Sequence, residues 1–274
     1  MSCTKVPKLN GDPQPPVSPC VREFQALVDR TLCGRAPQSI LSSLCSLNSV
    51  PSISGSLNAR GTALEAIVQA LNALPTPYAS SFPHLRLDTT VRELCHPLVL
   101  QIFQPIHVYT SPDDNCMYNA LSTTVCGSER LTELFHLLTA YAVVKYRHVL
   151  IDALRDAFPF QTHEEHVRKC NTLIVQAITI RSWGSDYHMF ALSLLLDRPI
   201  LVYCSFYLND EGVLSLTMGD TRDVADFACR FLAFRPETRR HVQLCSSANR
   251  AVLTSGDVTT IPHLPLAIFH LPNH

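Results

Sequence analysis

Ser111-Pro112-Asp113-Asp114-Asn115-Cys116-Met117-Tyr118-Asn119-Ala120-Leu121-Ser122 runs from a turn-forming cluster straight into an apolar stretch, with a cysteine at the junction. Pro and Asp residues end whatever precedes them, and the apolar spacing after Asn115 predicts a helix starting near Cys116. A thiol at that place is favoured as thiolate by the helix N-terminus, and the free N–H groups of the first turn are suited to hold an oxyanion. The plainer alternative is a buried cysteine behind an ordinary Asp N-cap. This segment alone leaves both readings open.

Upstream, Ile106-His107-Val108-Tyr109 reads as a short strand, and a helix or turn is expected around Val91 to Leu100. Downstream, Leu131 to Ala157 carries apolar residues at helical spacing and reads as one long helix that Pro159 ends. The aromatic set Tyr118, Phe135, Tyr141 and Tyr146 falls at core positions of these helices. Ser185 to Leu196 reads as a helix and Ile200 to Phe206 as a strand. Shorter strand candidates lie at Val213 to Met218, Cys229 to Phe234 and Leu266 to Leu271.

Toward the N-terminus, prolines at 7, 13, 15, 16 and 19 mark residues 1–20 as a disordered tail. Helices are expected at Val21 to Arg35 and Arg60 to Leu74, with the Ser-rich residues 42–56 between them as a separator. The expected division is therefore a tail at 1–20, a helical N-terminal subdomain at 21–105 and a second domain at 106–274. Helices followed by alternating helices and strands indicate an α+β or layered α/β class.

Composition narrows the partners. With 22 Lys and Arg against 23 Asp and Glu, the formal charge is −1, so no basic field exists for a phosphate backbone and nucleic acid is not expected as a partner. The most apolar region, Met189 to Phe206, is cut by Asp197, Arg198 and Pro199, short of the roughly 20 residues of a membrane span, so no membrane partner is expected. The first twenty residues hold no signal-peptide core. Eleven cysteines, without a C-x-x-C pair, argue against a disulfide framework or zinc ribbon and for a reducing cytoplasmic or nuclear location. His163-Glu164-Glu165-His166 lacks the spacing of a zinc protease and reads as a solvated helix end. Arg235, Arg239, Arg240 and His241 with Glu237 read as a surface loop, with contact to an acidic partner as the other option.

The segment Asp113 to Ser122 resembles the G-D-G-N-C-L-[FY]-x-A-[LV]-S signature of the ovarian-tumour (OTU) cysteine proteases, with eight positions identical or conservative. Trp183-Gly184-Ser185-Asp186-Tyr187-His188-Met189-Phe190-Ala191-Leu192-Ser193 is similar to the second signature, W-G-G-x-x-E-L-x-A-L-S. Pro265 to His274 is similar to the third, [IL]-x-L-x-[YF]-H-x-x-N-H. The wording around Tyr187 to Leu192 is closest to the vertnin-like branch, where the nucleophile can be lost; Cys116 is present here.

The resemblance implies a papain-like OTU fold, a mixed central sheet flanked by helices, carrying an N-terminal helical extension. It implies a deubiquitinase that hydrolyses isopeptide bonds of ubiquitin, polyubiquitin chains or a ubiquitin-like modifier. In that mechanism Cys116 is the nucleophile, His274 the base, and backbone N–H groups of Asp114, Asn115 and Cys116 the oxyanion donors. Asp113 braces the loop or the imidazole, and no metal or other cofactor takes part. Trp183, Gly184 and His188 are supporting residues, the first two as packing beneath the site. Two positions depart from the family: Asp114 replaces a glycine and adds charge that opposes a thiolate, and His188 replaces a glutamate. The alternative function is a catalytically silent OTU-like or vertnin-like interaction module.

Overall fold

A computed structural model describes residues 18–74, 110–111, 113–197, 200–204, 206–208, 214–216 and 266–270. The tail at 1–17, the segment expected as helix or turn at 91–100, the strand candidates at 106–109 and 229–234, the basic cluster at 235–241 and His274 lie outside the described residues.

The helices begin where local chemistry starts them. Ser18 accepts a hydrogen bond from the Val21 N–H at 3.3 Å, Pro19 takes the first helical position, and α1 runs Pro19–Thr31. The Ser-rich stretch is not a separator. It contributes to α2 (Pro37–Cys45) and forms α3 (Val50–Asn58), each with a proline in its first turn. Its serines are compatible with helix because their hydroxyls fold back: Ser42 donates to the Gln38 carbonyl at 2.9 Å and Ser43 to Ser39 at 2.8 Å. Helix α4 follows at Gly61–Asn72.

After the undescribed segment come α5 (Cys116–Cys126), a 3₁₀ turn at Glu129–Leu131, α6 (Thr132–Lys145), α7 (Arg147–Ala157), α8 (His163–Ile178) and α9 (Asp186–Leu196). The single long helix expected from Leu131 to Ala157 is two, broken at Tyr146. The two parts bury differently: α6 is buried on all sides from Leu134 to Val143, whereas α7 buries only Leu150, Ile151 and Leu154. One straight axis does not serve both an enclosed helix and a one-faced surface helix.

Helix α6 is the hub, packed by α2, α3, α4, α5, α7, α8 and α9. Polar ties reinforce this packing. Tyr141 and Lys145 of α6 both donate to Glu65 of α4, at 2.8 and 2.7 Å, and Asn72 at the end of α4 donates to the Leu196 carbonyl of α9 at 2.6 Å. One apolar cluster runs from Val21 and Phe24 through Leu57 and Leu64 to Phe135, Ile174, Leu192 and Ile200.

The expected mixed central sheet flanked by helices is contradicted. The described residues are dominated by helix, and their strands are short and form two separate pairs. β1 (Ile200–Cys204) pairs in parallel with β4 (Leu266–His270), and β2 (Phe206–Leu208) pairs antiparallel with β3 (Leu214–Leu216). The core is organised around α6, buried on all sides, so helix-on-helix packing takes the place of a sheet in burying apolar surface. Among the described residues no helix is long and apolar enough to cross a membrane.

Candidate active site

Asp114 adopts a left-handed backbone, φ 64°, immediately ahead of the N-cap Asn115. This is the conformation glycine adopts without strain and that Asp and Asn tolerate best among the other residues. The replacement of the family glycine thus preserves the turn while adding a carboxylate.

The turn is held by side chains of its own motif. Asp113 Oδ1 accepts from the Asn115 N–H at 3.3 Å and from Asn119 Nδ2 at 2.8 Å. Asn119 also donates to the Ser111 carbonyl at 3.1 Å and accepts from Thr132 Oγ1 at 2.8 Å, tying the loop to the start of α6. Asn115, buried, accepts through Oδ1 from the Arg181 N–H at 2.8 Å and lies 3.0 Å from His136 Nε2.

Cys116 heads α5, half-buried. Burial pushes its thiol pKa up; the backbone N–H groups of Met117 and Cys116 pull it down, and the carboxylates of Asp113 and Asp114 push it up again. The expectation that a helix N-terminus favours the thiolate therefore meets a larger opposing effect, desolvation. Of the three expected oxyanion donors, the Asn115 N–H is engaged by Asp113.

The second signature lies against the first. Gly184 sits so close to Met117 that an added Cβ would come within 2.3 Å of its sulfur, so this position has room only for glycine unless the Met117 side chain moves. Trp183 is 51% exposed, not buried beneath the site, and its Nε1 donates to Asp114 Oδ1 at 3.0 Å. His188 is fully buried. Its Nδ1 accepts from the Ser185 N–H at 2.9 Å, and its Nε2 donates to the Leu173 carbonyl at 2.8 Å. That reach back to the N-cap N–H is the capping-box task a glutamate performs at the third helical position, so histidine substitutes for the family glutamate in kind. Burial depresses its pKa, with the Leu173 carbonyl acting in the opposite sense, and the neutral ring fits both contacts.

His136 escaped the sequence reading. It is fully buried in α6, stacked on Tyr118 with ring centroids 3.6 Å apart, and its Nδ1 lies 2.9 Å from the Ala177 carbonyl. The signal was available as a lone histidine inside the apolar run Leu134-Phe135-His136-Leu137-Leu138. The corresponding surprise in α8 is His166, buried with Nε2 3.1 Å from the Phe158 carbonyl, where a solvated helix end was expected. On the far side of the site, β4 packs against α5, which sets the strand ending at His270 beside the helix headed by Cys116.

The sequence model of the OTU-like cysteine protease family matches residues 111–224, which takes in the first and second signatures and stops short of the third. It names the family and no branch of it. Neither the curated proteins nor the solved structures provide a match. A cysteine-headed helix after a left-handed Asp turn, closed by a Trp-Gly segment at the matching position, agrees with that match, and the segment 111–224 of this chain is similar to the OTU-like cysteine proteases.

Proposed function

We propose that the chain is a deubiquitinase, hydrolysing isopeptide bonds made by the C-terminus of ubiquitin or a ubiquitin-like modifier. The observation that carries this reading is Cys116 at the head of α5, half-exposed, with backbone N–H groups at its sulfur and a left-handed turn before it. A resting thiol with a raised pKa requires a base, and His274 is the proposed one. It follows β4 by four residues, and β4 packs on α5.

In this reading His274 removes the Cys116 proton as sulfur attacks the isopeptide carbonyl. The oxyanion is held by N–H groups of the turn, with those of Asp114 and Cys116 as the leading candidates. The imidazolium then gives its proton to the departing lysine amine, leaving a thioester. Water, deprotonated by the same ring, attacks the thioester and regenerates the thiol. Asp113 keeps the turn in shape through Asn115 and Asn119. Residues 106–274 are the proposed catalytic part and 21–105 its helical extension, in a cytoplasmic or nuclear protein whose cysteines stay reduced.

One observation favours the second reading, a silent interaction module. Desolvation and two carboxylates all oppose ionisation of Cys116. A ubiquitin probe with a C-terminal electrophile separates the two. The expected result is one adduct, on Cys116, with chain cleavage abolished in Cys116→Ala and His274→Ala and retained in His270→Ala. An adduct on another cysteine, or full cleavage by folded His274→Ala protein, refutes the assignment.

A further inference from the structure

Asp114 and Trp183 form a pair that the family signature, with glycine at the first position, has no means to make. Asp114 occupies a left-handed backbone that most side chains disfavour, directly ahead of the turn that presents Cys116. Its carboxylate accepts from Trp183 Nε1 at 3.0 Å. Next to Trp183, Gly184 packs closely against the Met117 side chain in the first turn of α5, so the Trp-Gly segment lies against the helix that Cys116 heads. Half of the Trp183 surface is open, so its place is not explained by the need to fill a core.

We infer that Trp183 is a positioning residue for the nucleophile, acting through the Asp114 carboxylate that it holds. The indole N–H anchors the one side chain that projects from the left-handed turn, and so fixes the orientation of the backbone N–H groups around Cys116. It also gives the Asp114 charge a hydrogen-bond donor, which lessens its opposition to the thiolate. This inference rests on the proposed hydrolase reading for its turnover arm and on thiol chemistry alone for the other.

The test is a double-mutant cycle of Trp183→Phe and Asp114→Gly. Two quantities are read: kcat and KM on a ubiquitin substrate, and the pH dependence of Cys116 alkylation by iodoacetamide, followed on the Cys116 peptide by mass spectrometry. Phenylalanine at a half-exposed site and glycine at a left-handed site are both compatible with folding. Trp183→Phe is expected to lower kcat about five- to tenfold with KM little changed, the range for loss of one hydrogen bond of about 1 kcal/mol at an exposed position. It should also move the alkylation midpoint to higher pH. Asp114→Gly should move that midpoint to lower pH, and adding Trp183→Phe to it should change neither quantity. An equal loss from Trp183→Phe in both backgrounds, or a rise in KM at constant kcat, overturns the inference, because either places the indole on the substrate. If no ubiquitin substrate is cleaved but the alkylation profiles shift as stated, the proposed function falls and the Trp183–Asp114 coupling stands.

Discussion

At the scale of single residues, the buried His136 and His188 are expected to cost the fold stability in acid. Both ring nitrogens of His136 face oxygen atoms, the Ala177 carbonyl and Asn115 Oδ1, an arrangement a doubly protonated ring would serve. Burial outweighs it, pushing the His136 pKa down to about 4, with the Ala177 carbonyl and Asp113 pulling up and His188 pushing down. A histidine whose folded pKa lies below the unfolded value of about 6.5 contributes stability that is complete above that value and is lost as pH falls toward about 4. Between pH 7 and pH 5, His136 alone should remove about 2 kcal/mol, and His188, shifted the same way, should add to the loss. Urea unfolding at the two pH values checks this. His136→Gln, though less stable at pH 7, should lose distinctly less between them; an unchanged difference would show that other groups titrate.

Helix α9 shows at the scale of elements how a departure from a signature can be a substitution in kind. His188 does two jobs, accepting from the N-cap Ser185 N–H and donating to the Leu173 carbonyl of α8. Glutamine offers an acceptor and a donor in one side chain, whereas alanine offers neither and leaves a void. His188→Ala is expected to destabilise by about 2–4 kcal/mol and His188→Gln by about half as much, measured as shifts in urea midpoint. Equal shifts would mean the hydrogen bonds contribute little beyond volume. The existence of α1, α4 and α9 was legible because caps and apolar spacing are local, although α1 starts at Pro19, inside the expected tail, and ends at Thr31 rather than Arg35. Helices α2 and α3 were hidden by a serine-rich composition; in α2 the hydroxyls of Ser42 and Ser43 turn out to bond the preceding turn, and in α3 Ser49 caps the helix. The α+β class was read from strand candidates along the chain and the mixed central sheet from resemblance, and the helix-dominated described residues correct both. His136 was illegible for a different reason: its partners lie 21 and 41 residues away in sequence, and no window on the chain brings them together.

Over the whole molecule, α1 to α4 share one apolar cluster with the helices of segment 111–224, which the family model matches. The lone tryptophan, Trp183, reports on the second of these regions, while Leu64 is fully buried in the first. Leu64→Ala should remove about 2–5 kcal/mol. Because the cluster is continuous, the Trp183 fluorescence transition should shift by the same amount as the circular dichroism. A fluorescence midpoint that stays in place while the helical signal loosens would show two independent units. The parallel pairing of β1 with β4 carries a temporal consequence. Ile200 meets Leu266 across 66 positions, and β4 reaches back to a helix that begins at Cys116. Contacts between neighbouring helices close short loops and form early, whereas this pairing must close a long one and forms late. The expected order is that the helix headed by Cys116 forms before the strand that leads to the proposed base docks beside it, leaving an interval in folding in which the thiol is in place but unassisted.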